Sequence, residues 1–180
     1  MIIFIAKAVH EAMLISPDLD AIDAKLLEQL QGDARLPMPV LAERVGLSGP
    51  ACYRRVRRLR EIGAIEREVA IVRPRTLGWP LTMVVLVTLE RDSGRATDAG
   101  SGHVIDQFMR KIAAVPEVVE AWYVTGDHDF ALRIVARDME GYDDLTRRIL
   151  LNDENVRTFK TLVVMRQAKA LSPVPADQAI

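Results

Sequence analysis

Eight arginines lie between Ser48 and Arg75 against three glutamates, a local excess of five positive charges in a chain whose formal net charge is -1. Guanidinium groups at this density suit a polyanion, because each presents a planar fork of donors that matches phosphate and base-edge acceptors. Their spacing sharpens the point. At about 100° per residue from Cys52, Val56 and Leu59 fall beside Cys52, whereas Arg54, Arg57 and Arg58 fall on the opposite side. Taken alone, three arginines on one helix face are explained equally well as solvated surface.

A second polar cluster, Gly126-Asp127-His128-Asp129, sits between two apolar runs. By itself it reads as a tight turn whose carboxylates bond nearby amides. His128 has no second histidine at metal-ligand spacing and reads as a surface residue. Other chemistry is poorly provided for. The single cysteine, Cys52, excludes an intramolecular disulfide and any multi-cysteine metal site. The three histidines are scattered, and no nucleophile elbow, phosphate loop or metal-binding helix is present. No cofactor and no metal site is expected.

At 180 residues, 49% hydrophobic and 27% charged, the chain has the composition of packed globular protein and room for two small domains. Its cysteine usage suits a reducing, cytoplasmic setting. The apolar opening from Met1 to Ile15 contains Lys7, His10 and Glu11 and is shorter than the roughly 20 residues of a spanning helix, so no membrane partner is expected. Residues 1–17 read as an extension: an extra packed element, or the product of an early start codon with Met13 as the alternative start.

Helical spacing of Leu19, Ile22, Leu26, Leu27 and Leu30, with Asp18 or Asp20 as cap and Gly32 past the end, predicts a first helix. Leu36-Pro37-Met38-Pro39 reads as an extended link. Val40, Leu41, Ala42 and Val45 then form a short second helix stopped by Gly46. Leu47-Ser48-Gly49-Pro50 starts a third, with Ser48 as cap and Pro50 in the first turn. Two helices joined by a short glycine turn, the second bearing outward arginines, is the layout that sets a recognition helix in the major groove of double-stranded DNA. Residues 18–64 are therefore read as a helix-turn-helix domain. The alternation from Ala64 to Val72 predicts a strand pair, a wing, within a linker over 65–79. Tyr53, Arg54 and Arg57 are best placed for base edges. Arg67, Arg73 and Arg75 suit flanking phosphates, which fix position without reading sequence.

Residues 80–171 read as a second domain, followed by a tail over 172–180. Leu81–Leu89 is a nearly continuous apolar run, a strand buried on both faces or nearly so. Asp92–Gly102 has loop composition. A helix from about His103 to Val115 carries Val104, Ile105, Phe108 and Ile112 on one stripe, and Pro116 ends it. Strands follow at Val118–Val124 and Phe130–Ala136, then a helix over Met139–Leu150 with Tyr142, Leu145, Ile149 and Leu150 inward. A last strand spans Val156–Ala170, centred on Leu162-Val163-Val164-Met165. Trp79 and Trp122 read as packing residues, and Cys52 as a small buried hydrophobe. The order βαββαβ is the ferredoxin-like αβ-sandwich, so the fold class is α+β. Its helix-free sheet face is apolar enough to meet another subunit, which predicts a homodimer at least.

Over nearly all of Leu19 to Lys169 the sequence resembles the leucine-responsive and asparagine-type regulators, the Lrp/AsnC family. The carrying segments are Leu19-Asp20-Ala21-Ile22-Asp23, Leu41-Ala42-Glu43-Arg44-Val45-Gly46-Leu47-Ser48, Arg55-Val56-Arg57-Arg58-Leu59, Thr125-Gly126-Asp127-His128-Asp129 and Leu162-Val163-Val164-Met165. Each is weak alone; five in order are strong. The resemblance implies a winged helix-turn-helix joined to a sandwich of the RAM type. It further implies sandwich-mediated dimers that assemble into tetramers or octamers, and an amino-acid effector bound between dimers near the hairpin. Carried residue by residue, the effector positions are Thr125, Gly126, Asp127, Asp129, Met139, Leu162, Val163 and Val164. The DNA-binding positions are Ser48, Gly49, Tyr53, Arg54, Arg57, Arg58, Arg67 and Arg73. Backbone amides at Gly126 and a nearby carboxylate can hold the two ends of a zwitterion. Gly49 departs from the family's pattern, which has a small polar side chain after Ser48.

Two other readings share this plan. Sirohaem decarboxylases resemble it and are enzymes, but they hold a tetrapyrrole polycarboxylate with histidine and basic residues, and here the hairpin is acidic. An architectural DNA-binding protein indifferent to small molecules is the other.

Overall fold

The computed structural model describes residues 19–90, 98–170 and 172–175. It divides into two compact units, one reaching Ala70 and joined by the C-terminal residues from Ala168, the other spanning Ile71–Gln167. The expected N-terminal extension and the first part of the expected loop, 92–97, lie outside the described residues.

Three helices form the first unit: α1 (Ala21–Gly32), α2 (Met38–Val45) and α3 (Gly49–Glu61). Asp20 starts α1 with a reciprocal cap. Its Oδ1 accepts from the amides of Ile22 and Asp23 at 2.9 Å, and the Asp23 side chain accepts from the Asp20 amide at 3.4 Å. Gly32 is the last residue of this helix and not, as expected, the one past it. The expected extended link Leu36–Pro39 is shorter than the sequence indicated. Pro37 caps α2, and Met38 and Pro39 already belong to its first turn, where a missing N–H has no partner to lose. Gly46 ends α2 at φ 72°, a left-handed conformation that side chains resist, and lets the Leu47 amide reach the Ala42 carbonyl at 2.8 Å. Leu26, Leu41, Val45, Cys52, Val56 and Leu59 fill the core between the three helices.

No strand forms between residues 64 and 73, so the expected wing pair is not found among the described residues. Alternation makes a segment fit for a strand, but the ladder needs a neighbour to take its N–H and C=O groups. Val69, Ile71 and Val72 are instead exposed. The second unit opens with a 3₁₀ turn over Pro74–Leu77 and a left-handed Gly78, after which Trp79 is half-buried beneath the Arg137 guanidinium, 5.0 Å from the ring centre.

The second unit runs β1 (Leu81–Leu89), α4 (Asp98–Ala113), β2 (Val118–Tyr123), β3 (Phe130–Ala136), α5 (Met139–Thr146) and β4 (Val156–Val163). Its four strands pair antiparallel in the order β2-β3-β1-β4, the ferredoxin-like sheet. Helix α4 begins at Asp98, ahead of the expected His103, so loop-like composition over 98–102 yields to helix. Helix α5 gives way to a π turn over Arg147–Leu151. Met83, Val85 and Val87 of β1, with Leu132 and Ile134 of β3, point to the helices and bury Phe108, Ile112, Tyr142, Leu145 and Ile149. The Phe108 and Phe130 rings meet at 4.8 Å, tilted by 54°. Burial of β1 is one-sided along most of its length: Thr82, Val84 and Leu86 on the other face are only half-buried. Strand β4 ends at Val163, so Leu162–Met165 is its terminus and not its centre.

The helix-free face carries Trp122 (49% exposed) and Leu162 (44% exposed) beside Val84, Leu86 and Ala131. Trp122 is therefore not a packing residue within the chain. On the same face the Arg133 guanidinium reaches the Glu120 carboxylate at 2.8 Å across β2 and β3. Among the described residues, no helix is long and apolar enough to cross a membrane.

Candidate nucleic-acid interface and effector site

Helix α3 and its N-cap collect six of the eight proposed DNA positions. Ser48 stands at the N-cap with extended backbone, but its side chain makes no capping hydrogen bond, contrary to expectation. Beyond Gly49, Tyr53 (56% exposed), Arg54 and Arg57 (68% exposed) point outward, while Cys52, Val56 and Leu59 are buried. Burial pushes the Cys52 thiol up, as suits an inert core residue.

The arginines are not equivalent. Asp23, its side chain only 2% exposed, draws two of them toward α1: Arg55 Nη1 donates to Asp23 Oδ1 at 2.8 Å and to Asp20 Oδ2 at 2.7 Å, and Arg58 Nη1 donates to Asp23 Oδ2 at 3.1 Å. These contacts raise the Arg55 guanidinium further above its already high value. Arg58, expected to face solvent, thus leans on a buried carboxylate, and Arg54 and Arg58 line a polar groove of about 570 Å³ beside it. Arg57 is held differently: its Nε donates to Glu61 Oε1 at 2.7 Å, one turn along the same helix. Arg67 is exposed in the extended segment after α3, whereas Arg73 belongs to the second unit.

Sequence reasoning missed Asp23 and Glu61 as shaping residues. The Asp-x-x-Asp spacing of Asp20 and Asp23 was the available sign for the first. For the second it was the angular position of Glu61, about 180° from Cys52 on the helix.

The effector positions fall into two groups. In the hairpin, Gly126 has φ 127°, a conformation that favours glycine, and Thr125, Gly126 and Asp127 are exposed. Asp129 is tied into the fold, its Oδ2 accepting from the Leu89 amide at 2.8 Å while its own amide donates to the Val87 carbonyl at 2.9 Å. His128 is not a free surface residue: it is half-buried, with Nδ1 3.0 Å from Thr88 Oγ1. Asp127 therefore presents its carboxylate outward, and Asp129 pins the hairpin to the end of β1.

The second group lies at the other end of the sheet. Leu162 pairs with Val84 and Val163 with Met83, the Val164 amide donates to the Thr82 carbonyl at 2.9 Å, and Met139 follows the β3 end that pairs with Leu81. All four side chains are exposed. From Met83 to Leu89 the strand advances roughly 20 Å. The two groups do not meet within one chain. Among the described residues no cluster of three or more histidine, cysteine or acidic side chains is arranged for a metal ion.

A helix-turn-helix with an arginine-bearing third helix, followed by a ferredoxin-like unit with an open sheet face, defines a two-domain DNA-binding regulator. Matches to known proteins agree. Residues 19–60 match the AsnC-type helix-turn-helix domain and residues 82–174 the Lrp/AsnC ligand binding domain, and the chain belongs to the Lrp/AsnC family of transcriptional regulators. An uncharacterized HTH-type transcriptional regulator of Sinorhizobium fredii is 42% identical over 160 residues, 89% of this chain and 90% of that protein. The leucine-responsive regulatory protein of Rhizobium meliloti is 40% identical over 157 residues, 87% of this chain and 96% of that one. Among solved structures, a transcriptional regulator of Neisseria meningitidis in complex with L-Met superposes with a TM-score of 0.78 at 25% identity, covering 90% of this chain and 99% of that one.

Proposed function

We propose that this regulator binds an amino acid with an apolar side chain at a site completed by two protomers, and that occupancy shifts its assembly and so its grip on DNA. The observation that carries this reading is the separation of the two effector groups along β1. One protomer offers Gly126 and Asp127, an amide and a carboxylate suited to the charged ends of a zwitterion. Another offers the exposed apolar surface of Met139, Leu162 and Val164. L-Met in the Neisseria regulator is a ligand of this class. The exposed Trp122 and Leu162 on the open sheet face support a homodimer through that face, with tetramers or octamers built from it.

On the DNA side, Tyr53, Arg54 and Arg57 read base edges, while Ser48, Gly49, Arg58, Arg67 and Arg73 hold the backbone. The tetrapyrrole enzyme alternative is disfavoured by the outward Asp127, which repels a polycarboxylate. We read the protein as a non-enzymatic regulator working in the cytoplasm.

The test is fluorescence anisotropy with the DNA upstream of its own gene and a scrambled duplex, at fixed salt, across the twenty amino acids, with light scattering on the same samples. The expected result is a preference for the native duplex that moves, together with the mass of the assembly, on adding one apolar amino acid. DNA binding that ignores every amino acid would leave the architectural reading. No DNA binding under any condition would overturn the proposal.

A further inference from the structure

We propose that Glu61 is a positioning residue for sequence readout, fixing the Arg57 guanidinium in a base-reading orientation and opposing contact with DNA that offers it no matching base. This rests on the reading that the outward face of α3 meets DNA. Taking Cys52 as the inward reference, Pro50, Arg54, Arg57 and Glu61 fall at about 160°, 200°, 140° and 180°, the stripe farthest from the core. Glu61 is the one acidic residue on that stripe and on α3.

Helix stability does not account for it. Glu61 is the last residue of α3, where the carbonyl end of the helix repels a carboxylate. The pair also runs in the less favourable direction, arginine before glutamate. The chain uses the favourable order elsewhere: Asp143 precedes Arg147 at the same spacing, with the carboxylate 2.8 Å from Nε. A carboxylate on a face meant for a polyanion costs binding to every phosphate near it. A residue unfavourable on both counts has its use in what it does to Arg57.

The geometry supplies that use. Glu61 Oε1 accepts a hydrogen bond from Arg57 Nε at 2.7 Å, which fixes the plane of the guanidinium and leaves its two Nη groups as the fork for a bidentate partner. Such a fork matches the O6 and N7 acceptors of guanine in the major groove. Held this way, Arg57 loses less rotamer freedom when it meets guanine. A duplex lacking guanine there gains little from Arg57 and keeps the repulsion from Glu61. Discrimination thus comes from attraction and repulsion together.

The experiment uses the full-length protein and the tightest duplex it selects from a random-sequence pool, against a scrambled duplex, at several salt concentrations. Variants are Glu61→Gln, Arg57→Ala and the double variant, each checked by circular dichroism melting. Glu61→Gln is expected to tighten the scrambled duplex and to lower the ratio of selected to scrambled affinity by about tenfold, the scale of one bidentate contact. In the Arg57→Ala background the same change should tighten both duplexes alike, leaving the ratio unmoved. If Arg57→Ala weakens the selected duplex but Glu61→Gln leaves the ratio unchanged, or changes it equally without Arg57, the inference is overturned and the interface stands. If Arg57→Ala affects no duplex, interface and inference fall together.

Discussion

The Asp23 carboxylate, buried in the first helix, receives the Arg55 guanidinium of the recognition helix at 2.8 Å. One carboxylate thereby sets α3 against α1, and with it the direction in which Tyr53, Arg54 and Arg57 point. Removing one partner of a buried pair is costly because the other charge loses its counter-ion. Since Arg55 and Arg58 keep partial access to water, Asp23→Ala is expected to cost about 3 kcal/mol, the low end for such pairs. Urea unfolding followed by helical signal checks this, and a loss under about 1 kcal/mol would show that packing alone sets the angle.

Asp20 makes the helix-turn-helix sensitive to acid. Its carboxyl lies below the usual 3.8 because it accepts the Asp23 amide hydrogen bond and, next, that of Arg55. A lowered value means the fold favours the ionised form. That stability is fully present above the ordinary value and is lost as pH falls through the folded one. The Tm difference between the native protein and Asp20→Asn should be constant above about pH 4.5 and vanish in stronger acid. A difference that persists at the lowest pH would place the effect in the cap geometry.

A site shared between protomers can be rebuilt from two defective chains. Asp127→Lys damages the hairpin and Met139→Arg the opposite end of the sheet, and each alone should abolish the effector response. After random subunit exchange between equal amounts of them, roughly a quarter of all sites combine two intact halves, and the response should return in that proportion. No recovery in a mixture shown to exchange subunits would place both groups in separate sites.

Arg67 and Arg73 are expected to contact phosphates only. Substituting either by alanine should weaken selected and scrambled duplexes alike and lower the log–log salt slope by about 1. A change in the affinity ratio would move that residue to the bases.

Much of the architecture was legible because it depends on periodicity and on local backbone chemistry. Apolar spacing located α1, α2 and α3 and all four strands, Gly46 marked the turn between α2 and α3, and the strand and helix order implied the sheet that forms. Errors arose where a partner decides the outcome. Alternation over Ala64–Val72 describes a segment able to pair, but pairing needs a second strand, and among the described residues none lies against it. Trp122 has the size of a core residue, yet its register opposite Ala131 puts it on the open face.

Residue types and spacing alone determined the fold class, the basic character of α3 and the arginines worth testing on it. Tertiary structure decided how those residues divide. It turned Arg55 and Arg58 toward Asp23 while leaving Arg57 with Glu61, committed Asp129 to the Leu89 amide while leaving Asp127 outward, and set the hairpin and the Met139 group at opposite ends of one strand. The reason is physical: helical and strand periods give each side chain a face, but only the packing of separate elements determines which distant charge or amide it meets.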